Sequence, residues 1–303
     1  MEKLERGLVI RLQAGYFSVQ TSSDLITCRL RGKFKRGPRE GDLVAIGDWV
    51  QISMQEDGSG MIEEIEPRQR TLSRMAPTSR GEFEQIILAN PDQVVLVFSC
   101  AEPEPRIRML DRFLVITEER EIPAVIVANK TDLVSRRDAN AIFGHYKKIG
   151  YPLLYTSAKE KRGIRHLRRI LEGKISVLVG PSGAGKSSLL NCVQPGLGLH
   201  VREVSSATSK GRHTTVVREM FPLNGGGYVA DTPGLKALAL WDIEREELDG
   251  YFPELRLLVA DCKFSSCSHI EEPGCAVKAA VENGQVHPLR YDSYVRLWLN
   301  DEE

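Results

Sequence analysis

Long apolar runs are missing from this chain of 303 residues, and the continuous ones it has, such as Val94–Phe98, fall far short of the ~20 needed to cross a bilayer. The opening Met-Glu-Lys-Leu-Glu-Arg meets no apolar stretch of the ~7–15 residues that a secretion signal carries. No membrane partner is therefore expected, and a cytoplasmic location is. Repeats, low-complexity tracts and long flexible linkers are absent as well. Cysteine is scarce, with six in the chain, and the length allows two or three domains with buried cores, which excludes a disulfide-stapled miniprotein. Net charge is absent too, with 41 Lys and Arg against 41 Asp and Glu.

That neutrality hides an uneven distribution. Residues 1–75 hold 12 basic against 11 acidic side chains, residues 76–240 hold 23 against 16, and residues 241–303 hold 6 against 14. A basic body remains free to meet a polyanion while the tail is acidic.

The first 70 residues alternate as short strands: Gly7–Leu12, Tyr16–Thr21, Leu25–Lys33, Leu43–Met54 and Met61–Ile65, parted by Gly, Asp and Pro. Five strands in that length fit a small barrel, first an oligonucleotide-binding (OB) barrel and second an SH3-like one. Arg29, Arg31, Lys33, Lys35, Arg36 and Arg39 follow one another without an acid, either as a contact for a nucleic-acid backbone or as the charged guard of an edge strand. From about residue 76 the pattern turns to β/α alternation. Val94–Phe98 and Ala124–Ala128 read as parallel strands buried on both faces, with a helix over Arg108–Arg120 between them. The expected domains are an OB-like barrel over 1–75, an α/β domain over 76–240 and a C-terminal domain over 241–303 ending in a helix near Tyr291–Leu299.

Strand Ile175–Val179 runs into Gly180-Pro181-Ser182-Gly183-Ala184-Gly185-Lys186-Ser187 and then Ser188, which is GxxxxGK[ST] between a strand and a helix. The glycines let successive N–H groups turn inward around phosphates at a helix N-terminus; Lys186 reaches the β- and γ-phosphates and Ser187 ligates Mg²⁺. Asn129-Lys130-Thr131-Asp132 fits the NKxD guanine motif: the Asp132 carboxylate can accept from guanine N1–H and from its amine, a donor pair adenine lacks. Thr156-Ser157-Ala158-Lys159 follows one strand later and sets the Ala158 N–H towards guanine O6. Asp231-Thr232-Pro233-Gly234 matches DxxG, with Asp231 holding Mg²⁺ through water and the Gly234 N–H sensing the γ-phosphate. Between these, His213-Thr214-Thr215 supplies a switch threonine, Thr215 or Thr214, as a further Mg²⁺ ligand.

The order is NKxD, SAK, Walker A, threonine, DxxG, whereas GTPases run from Walker A to SAK. Nothing in residues 1–128 matches GxxxxGK[ST], so the NKxD must serve the later phosphate loop, and the domain is circularly permuted. The joint is a helix with Ile164, Leu167, Ile170 and Leu171 on one face and Arg165, Arg168 and Arg169 largely opposite, capped by Gly173. Cys262, Cys267, His269 and Cys275 place three thiols and an imidazole within 14 residues, enough to fill a tetrahedral structural zinc site. Cys28, Cys100 and Cys192 are single and read as small buried hydrophobes.

Permuted GTPase motifs, an N-terminal barrel with Gly47-Asp48-Trp49-Val50 and a Cys-Cys-His-Cys tail together resemble the ribosome small-subunit-dependent GTPase A family over nearly the whole chain. The resemblance implies a GTPase of late small-subunit maturation that takes GTP with Mg²⁺, carries one structural Zn²⁺ and contacts the small ribosomal subunit and its rRNA through barrel and tail; a monomer is expected. Leu235 stands where many GTPases place a water-orienting Gln. Slow intrinsic hydrolysis follows, with His213 a candidate for orienting the water or, otherwise, a residue that shapes the switch or contacts RNA. The competing functions are an RNA-binding module that uses GTP as a conformational lock with negligible turnover, and a P-loop kinase or ATPase, which NKTD disfavours.

Overall fold

A computed structural model describes residues 4–32, 43–78, 81–197, 218–231 and 243–301. The chain forms two compact units. One comprises Met1–Val94, Arg165–Val179 and Val193–Ala239, the other Val95–Ile164, Gly180–Cys192 and Leu240–Glu303.

In the first unit, strands β1 (Glu5–Gln13), β2 (Tyr16–Gln20), β3 (Leu25–Leu30), β4 (Trp49–Met54) and β5 (Gly60–Ile65) pair in the order β1-β2-β3-β5-β4, and β4 returns to β1. The closure is antiparallel except for β3 and β5, which run parallel with Cys28 opposite Gly60. A five-stranded closed barrel of this order is OB-like, which decides between the two barrels that the alternation allowed. Its core is the inward set Val9, Phe17, Val19, Ile26, Cys28, Val50, Ile52 and Ile62.

Sequence alternation extends the fourth strand back to Leu43, but the structure starts it at Trp49. The Asp48 carboxylate turns back to accept the Ala45 N–H at 2.8 Å and the Arg68 guanidinium at 2.7 and 2.8 Å, so residues 43–48 fold as a turn. Gly47 is required there: its φ is +87° and a Cβ would lie 2.0 Å from the Ala89 carbonyl oxygen. The third strand likewise ends at Leu30, and Lys33, Lys35, Arg36 and Arg39 lie outside the described residues. A hairpin absent from the sequence reading follows the barrel, β6 (Thr71–Thr78) with β7 (Gly81–Ala89).

Four more elements complete this unit: helix α3 (Ile164–Leu171) from Arg165 onwards, β11 (Ile175–Val179), β12 (Arg218–Pro222) and β13 (Tyr228–Asp231). β11 pairs parallel with β13, β13 antiparallel with β12, and β12 with barrel strand β1. The join that permutation requires is tight. Gly173, at φ +71°, donates its N–H to the Gly226 carbonyl at 3.0 Å, and the Asp92 carboxylate accepts the Ile175 N–H at 2.7 Å. Buried Gln93 donates to the Ile170 carbonyl and the Ser176 hydroxyl at 2.8 and 2.9 Å.

The second unit contains β8 (Gln93–Ser99) from Val95 onwards, α1 (Ile107–Glu119), β9 (Ala124–Asn129), α2 (Arg136–Ile149), β10 (Leu153–Tyr155) and α4 (Lys186–Val193). β8 and β9 are buried along their length and β9 runs parallel to β10, as apolar runs between helices require. α2 starts at Ser135, whose hydroxyl accepts the Asp138 N–H, and stops at Gly150, left-handed at φ +117°.

The tail packs in this unit as α5 (Pro253–Arg256), α6 (Ala276–Glu282) and α7 (Pro288–Leu299) around Leu248, Phe252, Leu255, Val277, Ala280 and Tyr294, with Val115 of α1 in the same cluster. A buried ionic network fastens it. Arg290 of α7 donates to Asp111 of α1 at 2.8 Å and to both oxygens of Glu254 at 2.6 and 3.2 Å. Tyr146 of α2 and Ser293 donate their hydroxyls to the same Asp111, at 2.6 and 2.5 Å. Breaking one partner of such a buried pair costs about 3–5 kcal/mol.

Candidate nucleotide site and metal centre

Strand β9 ends in the NKTD segment, and its last residue joins the guanine-side motif to the phosphate loop. The Asn129 side chain is buried; its Nδ2 donates to the Ala184 carbonyl at 2.8 Å, and its Oδ1 accepts the Thr156 hydroxyl at 3.0 Å. Three motifs thus meet at one amide. Gly185 shows how close the approach is: with φ at +94°, a Cβ there would lie 2.3 Å from Asn129 Nδ2. Gly180 has the same constraint from below, where a Cβ would sit 2.0 Å from the Val97 carbonyl oxygen. Gly183, at φ +79°, completes the set of turned backbones.

Pro181, Ser182 and Ala184 form the body of this loop, with Pro181 and Ala184 buried. Lys186, Ser187 and Ser188 open α4. Lys186 Nζ donates to the carbonyls of Gly180 and Pro181 at 2.7 and 2.9 Å, which holds the ammonium across the mouth of its own loop. On the base side Asp132 accepts the Ser157 hydroxyl at 2.5 Å. That bond, with Lys159 and Arg162 nearby, draws the Asp132 pKa below its usual value and keeps the carboxylate an acceptor. Lys130, with φ at +61°, donates to the Glu102 carbonyl. Ala158 accepts from the Cys192 thiol at 3.5 Å, so α4 also touches the guanine-side loop.

Asp231 is the last residue of β13. With Ala230 opposite Val177, it ends level with the strand that feeds the phosphate loop. Its side chain, and all of His213, Thr214, Thr215, Gly234 and Leu235, lie outside what the structure describes.

The four tail ligands come together. Their donor atoms all lie within 4.8 Å of one another, and His269 Nδ1 is 3.5 Å from Cys262 Sγ and 3.4 Å from Cys275 Sγ. Tetrahedral zinc, with bonds of about 2.3 Å to sulfur and about 2.0–2.1 Å to nitrogen, needs an S···N edge of about 3.6 Å. The residues fit a metal ion on chemistry as well as distance, because burial pushes the Cys267 thiol up to about 12 and a thiolate there requires a cation beside it. Asp249, which no spacing rule singled out, accepts from His269 Nε2 at 3.0 Å and fixes the imidazole so that Nδ1 points into the cluster. Tyr291 and Tyr294 donate to the carbonyls of His269 and Ser268 at 2.7 and 2.9 Å. Of the remaining cysteines, Cys28 and Cys100 are buried and Cys192 is half-buried.

A phosphate loop preceded in the chain by its guanine motifs and followed by its DxxG strand defines a circularly permuted P-loop GTPase, a GTP-hydrolysing enzyme. Known proteins agree. The family described as RsgA GTPase matches residues 65–241, and the RsgA N-terminal domain matches residues 6–62. The chain belongs to the RsgA GTPase family. It is 45% identical over 294 residues to "Small ribosomal subunit biogenesis GTPase RsgA" of Gemmatimonas aurantiaca, covering 96% of this chain and 95% of that one. The Moorella thermoacetica protein of the same name is 43% identical, with 95% and 94% covered. Among solved structures, YjeQ from Thermotoga maritima superposes with a TM-score of 0.81 at 37% identity, covering 98% of each chain. YloQ, described as a circularly permuted GTPase, gives 0.76 at 34% identity, with 98% and 95% covered.

Proposed function

We propose that this GTPase acts in the cytoplasm on the maturing small ribosomal subunit, hydrolysing GTP to GDP and phosphate when bound to it. The observation that carries the reading is similarity over 96% of the chain to a protein named for small-subunit biogenesis, joined to an intact set of nucleotide motifs. The working parts are a barrel over 1–75, a GTPase domain over 76–240 and a metal-binding tail over 241–303, acting as a monomer. Barrel and tail contact rRNA.

Asp132 accepts from guanine N1–H and the exocyclic amine, and the Ser157 hydroxyl holds its carboxylate in place for that task. Lys130 lies along the base and the Ala158 N–H faces O6. The backbone from Gly180 to Ser188 binds the phosphates, with Lys186 released from its loop carbonyls onto the β- and γ-oxygens. Magnesium bound with GTP neutralises charge building on those oxygens. Ser187, Asp231 through water, and Thr215 or Thr214 hold it. Gly234 reads the γ-phosphate. The Cys262, Cys267, His269 and Cys275 cluster takes one zinc, and a full tetrahedron leaves no position for chemistry, so this metal supports the tail.

Leu235 favours one alternative. It cannot orient a water, so turnover without another group is negligible and the protein works as a GTP-locked RNA binder. His213 is the candidate within the chain for that orientation. Hydrolysis measured alone and with purified small or large subunits separates a subunit-triggered GTPase from the lock.

A further inference from the structure

Residues 76–240 carry seven more basic than acidic side chains, and residues 159–169 alone, with six Lys and Arg against one Glu, supply five of that excess. Within this segment α3 sorts its side chains fully. At about 100° per residue, Ile164, Leu167, Ile170 and Leu171 occupy one arc, and Arg168, Arg165, Arg169 and His166 succeed one another round the other. Ile164, Leu167 and Leu171 are buried, while the four basic positions are exposed.

Two of these three arginines are not accounted for by local pairing. Arg168 is anchored, donating to the Val193 carbonyl at 2.7 and 3.1 Å. Arg165 and Arg169, one turn apart, have no ion-pair or hydrogen-bond partner among the described residues. Arg169 in the last turn suits the helix dipole, but Arg165 stands in the first turn, where the dipole favours an acid and α3 has none. A residue that breaks a local rule without local compensation points to a task elsewhere. The first acid after the helix, Glu172, lies against Gly225.

We propose that the outer face of α3 binds the phosphate backbone of RNA, a contact made by the GTPase domain itself in addition to barrel and tail. The inference rests on the small-subunit reading above. Eight residues give about 12 Å of helix, over which a nucleic-acid strand presents about three phosphates at ~3.4 Å of axis each, and Arg165 and Arg169 supply two guanidinium groups for them. Arginine suits this better than lysine because its planar fork can take two phosphate oxygens at once.

The test compares full-length wild type, Arg165→Gln with Arg169→Gln, and Arg165→Lys with Arg169→Lys in co-sedimentation with purified small subunits between ~50 and ~300 mM salt. Losing two phosphate contacts should flatten the slope of log K against log salt by about 1.8 and lower affinity at least ~10-fold at ~100 mM salt. The Lys pair should keep most of the slope, and GDP affinity and melting temperature should not move in either variant. A Gln pair that binds like wild type, while wild type itself binds small subunits, overturns the α3 surface and leaves the proposed function standing. If wild type does not bind small subunits, that function falls and this surface with it. If the Gln pair binds subunits more weakly but binds protein-free small-subunit rRNA as wild type does, the partner is a ribosomal protein and the RNA assignment is wrong.

Discussion

Gly185→Ala puts the smallest possible side chain where the phosphate loop meets the guanine motif, and the structure sets its cost. An alanine at φ +94° costs roughly 1–2 kcal/mol, because left-handed backbone crowds Cβ against the following carbonyl. The new methyl would also sit 2.3 Å from Asn129 Nδ2 and must displace it. That amide cannot move freely: it is buried and bonded to Ala184 on one side and Thr156 on the other, and stranding it costs about 1–3 kcal/mol. The free protein relieves the strain by letting the loop relax, and nucleotide binding must restore it. An affinity loss of about 2–5 kcal/mol is expected, or roughly 30- to 5000-fold in GDP dissociation constant, read by equilibrium titration with a fluorescent guanine nucleotide. In an Asn129→Ala background the clash has no target, so Gly185→Ala should then cost only its backbone share, roughly 10-fold. If Gly185→Ala binds within about threefold of wild type, or if the two substitutions are additive, Asn129 does not tie base site to phosphate loop in the working protein.

Asp132→Asn exchanges an acceptor for an amide that can donate to xanthine O2, and competition binding should show preference moving from GTP towards XTP; an unchanged GTP preference would refute the base-side role. Freshly purified protein should contain one zinc per chain by elemental analysis, and Asp249→Asn should weaken retention against a chelator by ~10- to 100-fold by freeing the His269 ring. His145 of α2 stacks on His287 at 4.0 Å, both its ring nitrogens are buried without a partner among the described residues, and burial, then His287, Arg290 and Lys148, lower its pKa to about 3. His287 is lowered as well, by burial and Lys148, against the opposing pull of Asp111. Well above pH ~6.5 His145 is neutral folded or unfolded. As pH falls from ~6.5 towards ~3 only the unfolded chain takes up this proton, so stability should drop with a contribution near 1.4 kcal/mol per pH unit. Denaturant titrations of His145→Phe should show that share of the slope gone.

Much of this molecule was legible from local pattern. Val94–Phe98 and Ala124–Ala128 are strands because unbroken apolar runs can be satisfied only where both faces are covered, and α3 is a helix because its apolar positions recur at 3.6. The motifs carried their own geometry, since a glycine that meets a carbonyl oxygen, such as Gly180 against Val97, leaves its mark in sequence. What escaped was tertiary. Residues 43–48 look like strand because Val44 and Ile46 alternate, and only Arg68, 20 positions beyond Asp48, turns them into a loop. Asp249 lies 20 residues from His269, and Arg290 lies 179 from Asp111; neither separation belongs to any local period. The β6–β7 hairpin mixes charge and apolar residues too irregularly for alternation to mark it.

We propose that the small subunit turns this enzyme on, because Leu235 leaves the attacking water without its usual amide. Single-turnover GTP hydrolysis by the full chain, alone and with purified small or large subunits, tests it most directly. Slow hydrolysis alone, a rise of at least ~10-fold with small subunits, worth about 1.4 kcal/mol in the barrier, and no such rise with large ones is the expected result. Fast hydrolysis by the protein alone, equal stimulation by large subunits, or negligible turnover with small ones would contradict it.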